Sequence, residues 1–311
     1  MKARSILKAA VAAAICATAA GPAVADNYGF NWFQWPRPPA FGPATSVDPV
    51  NAPSPAAEGC PIESADGRSL FIASNRTGDP NEIWVSDRAA IGQPWQPPRL
   101  LEAPINLPGF ADFCPTPVLG RSLMFVSSRP TTGLCVDGNM YISRQSPAGG
   151  WSEPTLLGCA PNGPNTAGAE RSPSLVETPY GTFLFYSTNG TTGHQDIHVS
   201  VMRADGTFGP GRVLEGINTS SEDIMPNVRE RPLGGYEMVF SSNRPSAGSN
   251  AAQGLQDVYV STAWFLPGPW SPPVNVRAVN TTGNEQRATL SHDGKRLHFG
   301  RDGDIFVSPR L

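Results

Sequence analysis

The sequence predicts an all-β protein, a five-bladed β-propeller built from four-stranded blades. The chain of 311 residues contains 33 Pro and 32 Gly, which favours many short strands over long helices. Two short apolar patterns recur five times each. A strand that the last repeat lacks is found instead near the N-terminus, as expected for a closed ring.

The clearest repeat is a strand that ends in Val-Ser or Ile-Ser. Each copy mixes apolar and polar residues in alternation and is rich in β-branched and aromatic residues, which is typical of a strand. The five copies are EIWVS (82–86), NMYIS (139–143), DIHVS (196–200), DVYVS (257–261) and DIFVS (304–308).

A second apolar strand precedes each of these copies. Its five versions are RSLFIAS (68–74), RSLMFVSS (121–128), GTFLFYST (181–188), GYEMVFSS (235–242) and KRLHFG (295–300). A short segment that precedes this strand carries an acid three residues before a proline, and the acids are Glu58, Asp112, Glu170 and Asp223. In the fifth, imperfect copy the acid is Glu285 and Ala288 replaces the proline. A fourth element follows the Val-Ser strand, at 94–106, 150–162, 207–218 and 269–280.

The last repeat stops at Leu311, directly after its third strand. The segment FGPATSVDPVN (41–51) matches FGPGRVLEGIN (208–218), the fourth element of the third repeat, at its Phe, Gly, Pro and Asn positions. A fourth strand supplied by the N-terminus closes a ring and leaves no unpaired terminal blade. The sequence therefore predicts one propeller over 41–311, with blades beginning near 58, 112, 170, 223 and 285 and with 41–51 as the outer strand of blade five.

The repeat resembles the TolB-type (WD40-like) β-propeller repeats of exported bacterial proteins over about residues 41–311. The resemblance rests on acid-x-x-Pro, an Asp-Gly turn (kept at Asp66-Gly67 and Asp293-Gly294), Leu-x-Phe, Ser-Asn-Arg and Asp-Ile-Tyr-Val-Ser. It implies a partner-binding or scaffold domain, or the propeller part of a peptidase or lyase. No catalytic motif of those enzymes is legible here.

Residues 1–25 have the pattern of a signal peptide. Lys2, Arg4 and Lys8 precede a short apolar stretch at 9–20, and AVA (23–25) suits cleavage near Ala25. Cleavage would change the formal net charge from −3 to −6. We therefore expect a periplasmic or secreted monomer that neither binds nucleic acid nor inserts into a membrane. Residues 26–40 form an aromatic and Pro-rich segment, read either as a tail along the propeller rim or as a partner-docking segment.

Four cysteines remain after such cleavage, and an even number in an exported protein indicates two disulfides. Cys60 and Cys114 occupy the same repeat position in adjacent blades, and Cys135 and Cys159 lie in loops around blade two. This favours the pairs Cys60–Cys114 and Cys135–Cys159, with Cys114–Cys135 as the main alternative.

One face of the predicted propeller collects charged residues. The links from strand four to strand one, and from strand two to strand three, share this face, which we call the mouth. The first links carry the acid ring, defined as Glu58, Asp112, Glu170, Asp223 and Glu285; the second carry Arg76, Arg129, Arg244 and Arg301. These arginines are candidate binding residues, although pairs with the acids of neighbouring blades would also satisfy them.

Departures from the repeat are further candidates for binding. The third repeat replaces the arginine with NGTTGHQ, which places Asn189 and His194 at the mouth, and Glu222 doubles the acid at Asp223. The mouth loops at 129–139 and 244–256 are long, and such loops on a rigid scaffold often bind ligands. His198 and His298 replace core residues of the other repeats.

Two functional interpretations follow. The near symmetry of the repeats and the lack of a legible nucleophile or metal motif favour a non-catalytic binding or scaffold propeller, whose mouth binds a protein, peptide or glycan. The alternative is a carbohydrate-active enzyme, a glycoside hydrolase or lyase-like protein, that uses carboxylates of the acid ring. Neither needs a cofactor, although a mouth-bound cation such as calcium is compatible with the acids.

Overall fold

The predicted five-bladed, all-β propeller is confirmed. The computed structural model describes residues 35–78, 80–118, 121–135, 138–190 and 193–311. These residues form five four-stranded antiparallel sheets and, apart from a 3₁₀ turn at Gly248–Asn250, no helix. The innermost strands contact one another in a closed cycle, so the sheets are the blades of a ring.

Each blade is a meander of four strands from the channel outward. The innermost strands are β2 (Glu58–Glu63), β6 (Asp112–Val118), β10 (Glu170–Thr178), β14 (Asp223–Glu230) and β18 (Glu285–Leu290). The second strands are β3 (Ser69–Ser74), β7 (Ser122–Ser127), β11 (Gly181–Thr188), β15 (Tyr236–Ser242) and β19 (Arg296–Arg301). The third strands are β4 (Glu82–Asp87), β8 (Asn139–Arg144), β12 (Asp196–Val201), β16 (Asp257–Ala263) and β20 (Asp304–Pro309). The outer strands are β5 (Arg99–Leu100), β9 (Thr155–Leu156), β13 (Arg212–Val213), β17 (Val274–Asn275) and β1 (Thr45–Ser46).

The N-terminal strand closes blade five as the sequence predicts. β1 pairs antiparallel with β20, with Thr45 opposite Val307. Phe41 bridges to Arg310, and the backbone N–H of Leu311 donates to the carbonyl of Ala40 at 3.0 Å. Both ends of the propeller are therefore held within one blade.

The hydrophobic core lies between the blades. Five clusters of buried side chains occupy the five blade boundaries, represented by the pairs Val85–Phe125, Met124–Leu184, Phe185–Phe240, Val239–Leu297 and Ile72–Ile305. Both faces of the second and third strands are covered by neighbouring blades, which explains why these strands are so rich in large apolar residues.

The innermost strand of every blade contains a β-bulge at the same place. The bulge residues, defined as Cys60, Cys114, Ser172, Met225 and Arg287, all have positive φ angles between 48° and 58°. The register with the second strand shifts at each of them. A bulge at this point bends the strand locally and turns side chains toward the channel.

Polar side chains just beyond the bulge tie neighbouring innermost strands together. Four blade boundaries have such a hydrogen bond: Thr116 Oγ1 to Pro173 O (2.5 Å), Val228 N to Ser174 Oγ (3.0 Å), Leu290 N to Asn227 Oδ1 (2.9 Å) and Thr289 Oγ1 to Pro61 O (2.6 Å). The equivalent residue of blade one is Ile62, which has no polar group.

The Cys60–Cys114 disulfide crosses that remaining boundary, between blades one and two. The second disulfide joins Cys135 to Cys159. Both pairs are those that the repeat positions favoured, and the alternative pair Cys114–Cys135 does not form. Two disulfides are consistent with a secreted or periplasmic protein.

The predicted signal peptide and residues 26–34 lie outside the described residues. Of the aromatic segment, 35–40 runs along blade four, where Thr262 Oγ1 donates to Pro36 O at 2.6 Å and Arg231 Nη2 to Arg37 O at 2.9 Å. This part packs on the propeller, while Trp35 remains 45% exposed. Within the described ranges we find no helix with the length and apolarity needed to span a bilayer.

Candidate functional site

The acid ring is buried, and four of its five members form ion pairs with arginine. Each acid is the first residue of an innermost strand, and its side chain is shielded from solvent. The pairs are Arg76–Glu58 (2.9 Å), Arg129–Asp112 (2.9 Å), Arg301–Glu285 (2.7 Å) and Arg244–Asp223.

These ion pairs lie within one blade, whereas the sequence suggested pairs between neighbouring blades. The reason is the antiparallel register. Glu58 stands opposite Ser74 at the end of the second strand, so the arginine that follows that strand reaches the acid of its own blade.

Each arginine connects its blade to the preceding one by a further hydrogen bond. Its guanidinium donates to a carbonyl of the segment that arrives from the previous blade, at Val50, Ile105, Ile217 and Val279. It also lies 4.4–5.3 Å from the centres of aromatic rings of its own blade. The guanidinium groups thus have a structural role, and their predicted role in ligand binding stays a prediction.

Blade three has no such arginine, and Glu170 is bonded by threonines instead. Glu170 Oε1 accepts hydrogen bonds from Thr166 N (2.8 Å), Thr166 Oγ1 (2.6 Å) and Thr188 Oγ1 (3.0 Å). Its Oε2 is buried without a hydrogen-bond partner. Gly190 is required nearby because a Cβ there would lie 2.1 Å from Thr166 Oγ1.

Glu170 is buried and has no arginine partner, and this changes its protonation. Burial raises the pKa of this carboxyl to about 7, and the three hydrogen bonds only partly oppose the shift. Burial also raises the pKa of Asp112, where Arg129 is among the groups that oppose the shift. Glu170 is therefore partly protonated near neutral pH, as a general acid requires.

Ionisation of Glu170 is expected to make stability depend on pH. The pKa of this carboxyl is near the ordinary value of 4.5 in the unfolded chain and about 7 in the folded chain. The folded state therefore holds the proton more tightly, and the free energy of unfolding decreases as the pH rises through that window. We expect the free energy of unfolding in urea to fall between pH 5 and pH 8, with up to about 3 kcal/mol of the fall due to this group.

The variant Glu170→Gln should lose most of this pH dependence. Glu215→Gln is a suitable control because Glu215 is exposed, and it should follow the wild type. An unchanged pH profile in Glu170→Gln would show that Glu170 is ionised normally.

The other candidates of blades three and four lie together at the mouth. His194 Nε2 is 3.4 Å from Asp196 Oδ1, and Glu222 Oε2 accepts from the backbone N–H of Gln195 at 3.0 Å. Asn189 Oδ1 accepts from Ala169 N at 2.9 Å. These contacts order the loops, and a role of the three residues in ligand binding stays a prediction.

Each of the other blades has a residue that makes the same kind of backbone hydrogen bond as Asn189. The acceptors at the equivalent position are Asn75, Ser128, Asn243 and Asp302, each of which binds the N–H just before an acid-ring residue. Four of the five positions are neutral, so only blade five places a carboxylate here. Asp302 is exposed and has a φ of 50°.

Another asparagine recurs in every blade and hydrogen-bonds the outer loop to the third strand. Its side-chain amide bonds the N–H and the carbonyl of one residue there, in Asn51, Asn106, Asn165, Asn218 and Asn280. The fourth element of every repeat ends at an asparagine in the sequence, which would be Asn162 in blade two, but there the structure uses Asn165. The loop that contains Cys159 is longer there and moves the register by three residues.

A cavity of about 590 Å³ opens at the mouth. It is lined by Phe113 and Met225 and by polar or charged residues, namely Glu58, Asn81, Arg171, Asn284, Gln286, Arg287 and Asp302. The guanidinium of Arg171 lies 5.1 Å from the centre of the Phe113 ring. We call this space the mouth cavity; it is large enough for a ligand of a few sugar rings.

Sequence reasoning missed most residues of the mouth cavity. Phe113, Arg171 and Gln286 directly follow acid-ring residues, at a position where the five repeats share no residue type. That variability was the available signal, because channel-facing positions make no repeated contact within the blade. Sequence variability alone does not show which way a side chain points, because the β-bulge determines that direction.

Comparisons with known proteins show the fold. No protein-family model matches the sequence, and no curated protein matches it. Among solved structures, the chain is similar to an α-L-arabinofuranosidase from Podospora anserina in complex with cellotriose, with a TM-score of 0.58, 13% identity, and coverage of 88% of this chain and 98% of that chain. The catalytic domain of a GH62 α-L-arabinofuranosidase from Coprinopsis cinerea has a TM-score of 0.57 at 14% identity, covering 88% and 97%.

An exo-1,5-α-L-arabinanase from a bovine ruminal metagenomic library is also similar, with a TM-score of 0.52 at 11% identity and coverage of 82% and 92%. These solved structures are glycoside hydrolases rather than proteins with TolB-type repeats. They contradict the non-catalytic binding or scaffold propeller that the sequence favoured. The alternative, a carbohydrate-active enzyme, agrees better with them.

Proposed function

We propose that this protein is a carbohydrate-active enzyme of the glycoside hydrolase type that acts at the mouth cavity. The observation that carries the proposal is the carboxylate of Asp302. It is an exposed acid on the cavity wall, at a repeat position that is neutral in the other four blades. Amide groups of Asn81, Asn284 and Gln286 and the guanidinium of Arg171 surround the same space, and such groups suit sugar hydroxyls.

Hydrolysis of a glycosidic bond uses two carboxyl groups, one to protonate the leaving oxygen and one to activate water or attack the sugar. Four acid-ring residues are neutralised by arginine, so we assign none of them to the reaction. Asp302 is our candidate for the ionised carboxylate. Glu170, with its raised pKa, is our candidate for the acid; it is buried and directly precedes Arg171, which lines the cavity from the same strand β10.

The enzymes with a similar fold suggest the first substrates to test. Arabinan and arabinofuranosyl-substituted polysaccharides should be incubated with the purified chain, and release of reducing sugar should be measured. A lyase would instead give unsaturated products, which absorb near 235 nm, so both signals belong in the same assay.

Asp302→Asn should reduce product release by at least about a hundredfold, the effect expected for loss of an essential acid or base. Asp304→Asn is a matched control, because Asp304 is also exposed and only two residues away; it should keep full activity. Activity that survives in Asp302→Asn, or no product from any polysaccharide tested, would contradict the proposal.

Other expectations accompany this proposal. The relation of the repeats to the TolB-type family, cleavage of a signal peptide near Ala25 and the choice between periplasm and secretion stay predictions. So do the monomeric state, the lack of a nucleic-acid or membrane partner, and the lack of a cofactor apart from a mouth-bound cation such as calcium.

A further inference from the structure

Two arginines lie inside the channel, on innermost strands of adjacent blades. Arg287 is a bulge residue of blade five and only 1% exposed. Its Nη2 donates to Thr116 Oγ1, in blade two, at 3.1 Å, so the side chain reaches across the channel. The Nε and Nη1 groups of Arg287, and Nε of Arg229 in blade four, are buried without a hydrogen-bond partner.

The charges of these two arginines are not balanced by a carboxylate. None of the ion pairs among the described residues includes Arg229 or Arg287. Glu63, a buried acid at the end of the innermost strand of blade one, forms ion pairs with Arg88 and Arg296 instead. An unpaired buried guanidinium is strongly unfavourable because it loses its hydration without a counter-charge.

The electrostatics of the two groups agree with this. Burial, together with the charge of Arg229, lowers the pKa of Arg287 to about 9. Burial alone lowers the pKa of Arg229. Arg287 is fully buried and Arg229 half-buried, and in both the positive charge is poorly hydrated and has no carboxylate partner among the described residues.

Arg229 lines a second cavity, which opens on the face opposite the mouth, whereas Arg287 lies on the inner wall of the mouth cavity. This rear cavity has a volume of about 560 Å³ and is lined by Arg229, Thr116, Ser174 and Asn227 near the channel. Thr116 belongs to the wall of this rear cavity and also accepts from Arg287 Nη2, so the Arg287 guanidinium reaches the deep end of the cavity through this contact. Of its three acids, Glu177 and Glu230 are exposed at the rim, where solvent screens them, and the buried Glu63 is paired with two arginines.

We propose that the rear cavity binds a small oxyanion between Arg229 and Arg287. The ligand class is a molecule with a phosphate or carboxylate group. Guanidinium groups recognise both through paired, charge-assisted hydrogen bonds. An oxyanion there would give partners to the orphaned N–H groups and balance the two charges. Arg287 also borders the mouth cavity, but Arg229 does not, so a variant of Arg229 tests this site without altering the proposed carbohydrate site.

The test is thermal unfolding of the mature chain with increasing sodium phosphate or sodium galacturonate, at an ionic strength kept constant with sodium chloride. A ligand that binds only the folded state raises the melting temperature in proportion to the logarithm of its concentration once the site is nearly saturated. We expect such a rise with at least one of the two anions. The phosphate arm and the galacturonate arm distinguish a free inorganic anion from the carboxylate of an acidic sugar.

Arg229→Met should weaken binding about tenfold to a hundredfold in calorimetric titration, as expected for loss of a charged hydrogen-bond donor. Arg212→Met is the control, because Arg212 is exposed on the outer strand β13 of blade three and should bind like the wild type. The variant Arg229→Lys keeps the positive charge but lacks the paired N–H donors of a guanidinium group, and it should retain intermediate affinity. A melting temperature that responds to neither anion, or equal affinity in Arg229→Met and wild type, would overturn the proposal.

Discussion

Replacing Arg129 by methionine is expected to lower the free energy of unfolding by about 3–5 kcal/mol, the usual effect of removing one partner from a buried ion pair. The substitution leaves the carboxylate of Asp112 buried, since its side chain has no exposed surface. It also leaves the carbonyl of Ile105 without the guanidinium that binds it at 2.6 Å. Urea unfolding at neutral pH measures the loss.

A double variant separates the charge effect from the packing effect. In Arg129→Met with Asp112→Asn the buried charge is gone, so we expect less destabilisation than in Arg129→Met alone. If the double variant is as unstable as the sum of its single variants, the pair has no coupling and Arg129 acts only through its packing on Phe125 and Tyr141.

Removing the Cys60–Cys114 disulfide is the second change with a large expected effect. The bond closes a loop with a sequence separation of 54 residues, for which chain entropy alone gives a loss of about 4 kcal/mol. It also spans the boundary where Ile62 lacks the hydrogen bond that the other innermost strands make. The double variant Cys60→Ala with Cys114→Ala should therefore unfold at markedly lower urea concentration.

The other disulfide provides the comparison. Cys135–Cys159 closes a separation of 24 residues, and the same treatment gives about 3.5 kcal/mol. The Cys60–Cys114 variant should lose more than this small difference in loop length explains. A smaller loss than in Cys135→Ala with Cys159→Ala would show that the disulfide does not substitute for the missing hydrogen bond.

The repeated positions made the fold predictable from the sequence. The Val-Ser strands, the acids before each innermost strand and the match between 41–51 and 208–218 all report contacts that every blade makes, so they recur. The closing strand and both disulfides followed from them. The pairing of each acid with an arginine of its own blade could not be predicted in this way, because it depends on the register of the first two strands.

The candidate site was less predictable because function uses positions where the repeats differ. Asp302 stands in a place that Asn75 and Asn243 share, and only the fold shows that this place borders a cavity. Arg287 occupies the same bulge position as Cys60 and Met225, so its direction across the channel comes from the bulge and from Thr116. The loss of arginine in blade three was visible, but its compensation by Thr166 and Thr188 was not.

The pairing of β1 with β20 also constrains the order in which the molecule folds. β1 is synthesised before the other strands of the propeller and its partner β20 after them, and their register joins Thr45 to Val307. Such a contact has a high loop-closure entropy and forms late. The first four blades can therefore assemble one after another, whereas blade five becomes complete only when β20 has been made and pairs with β1.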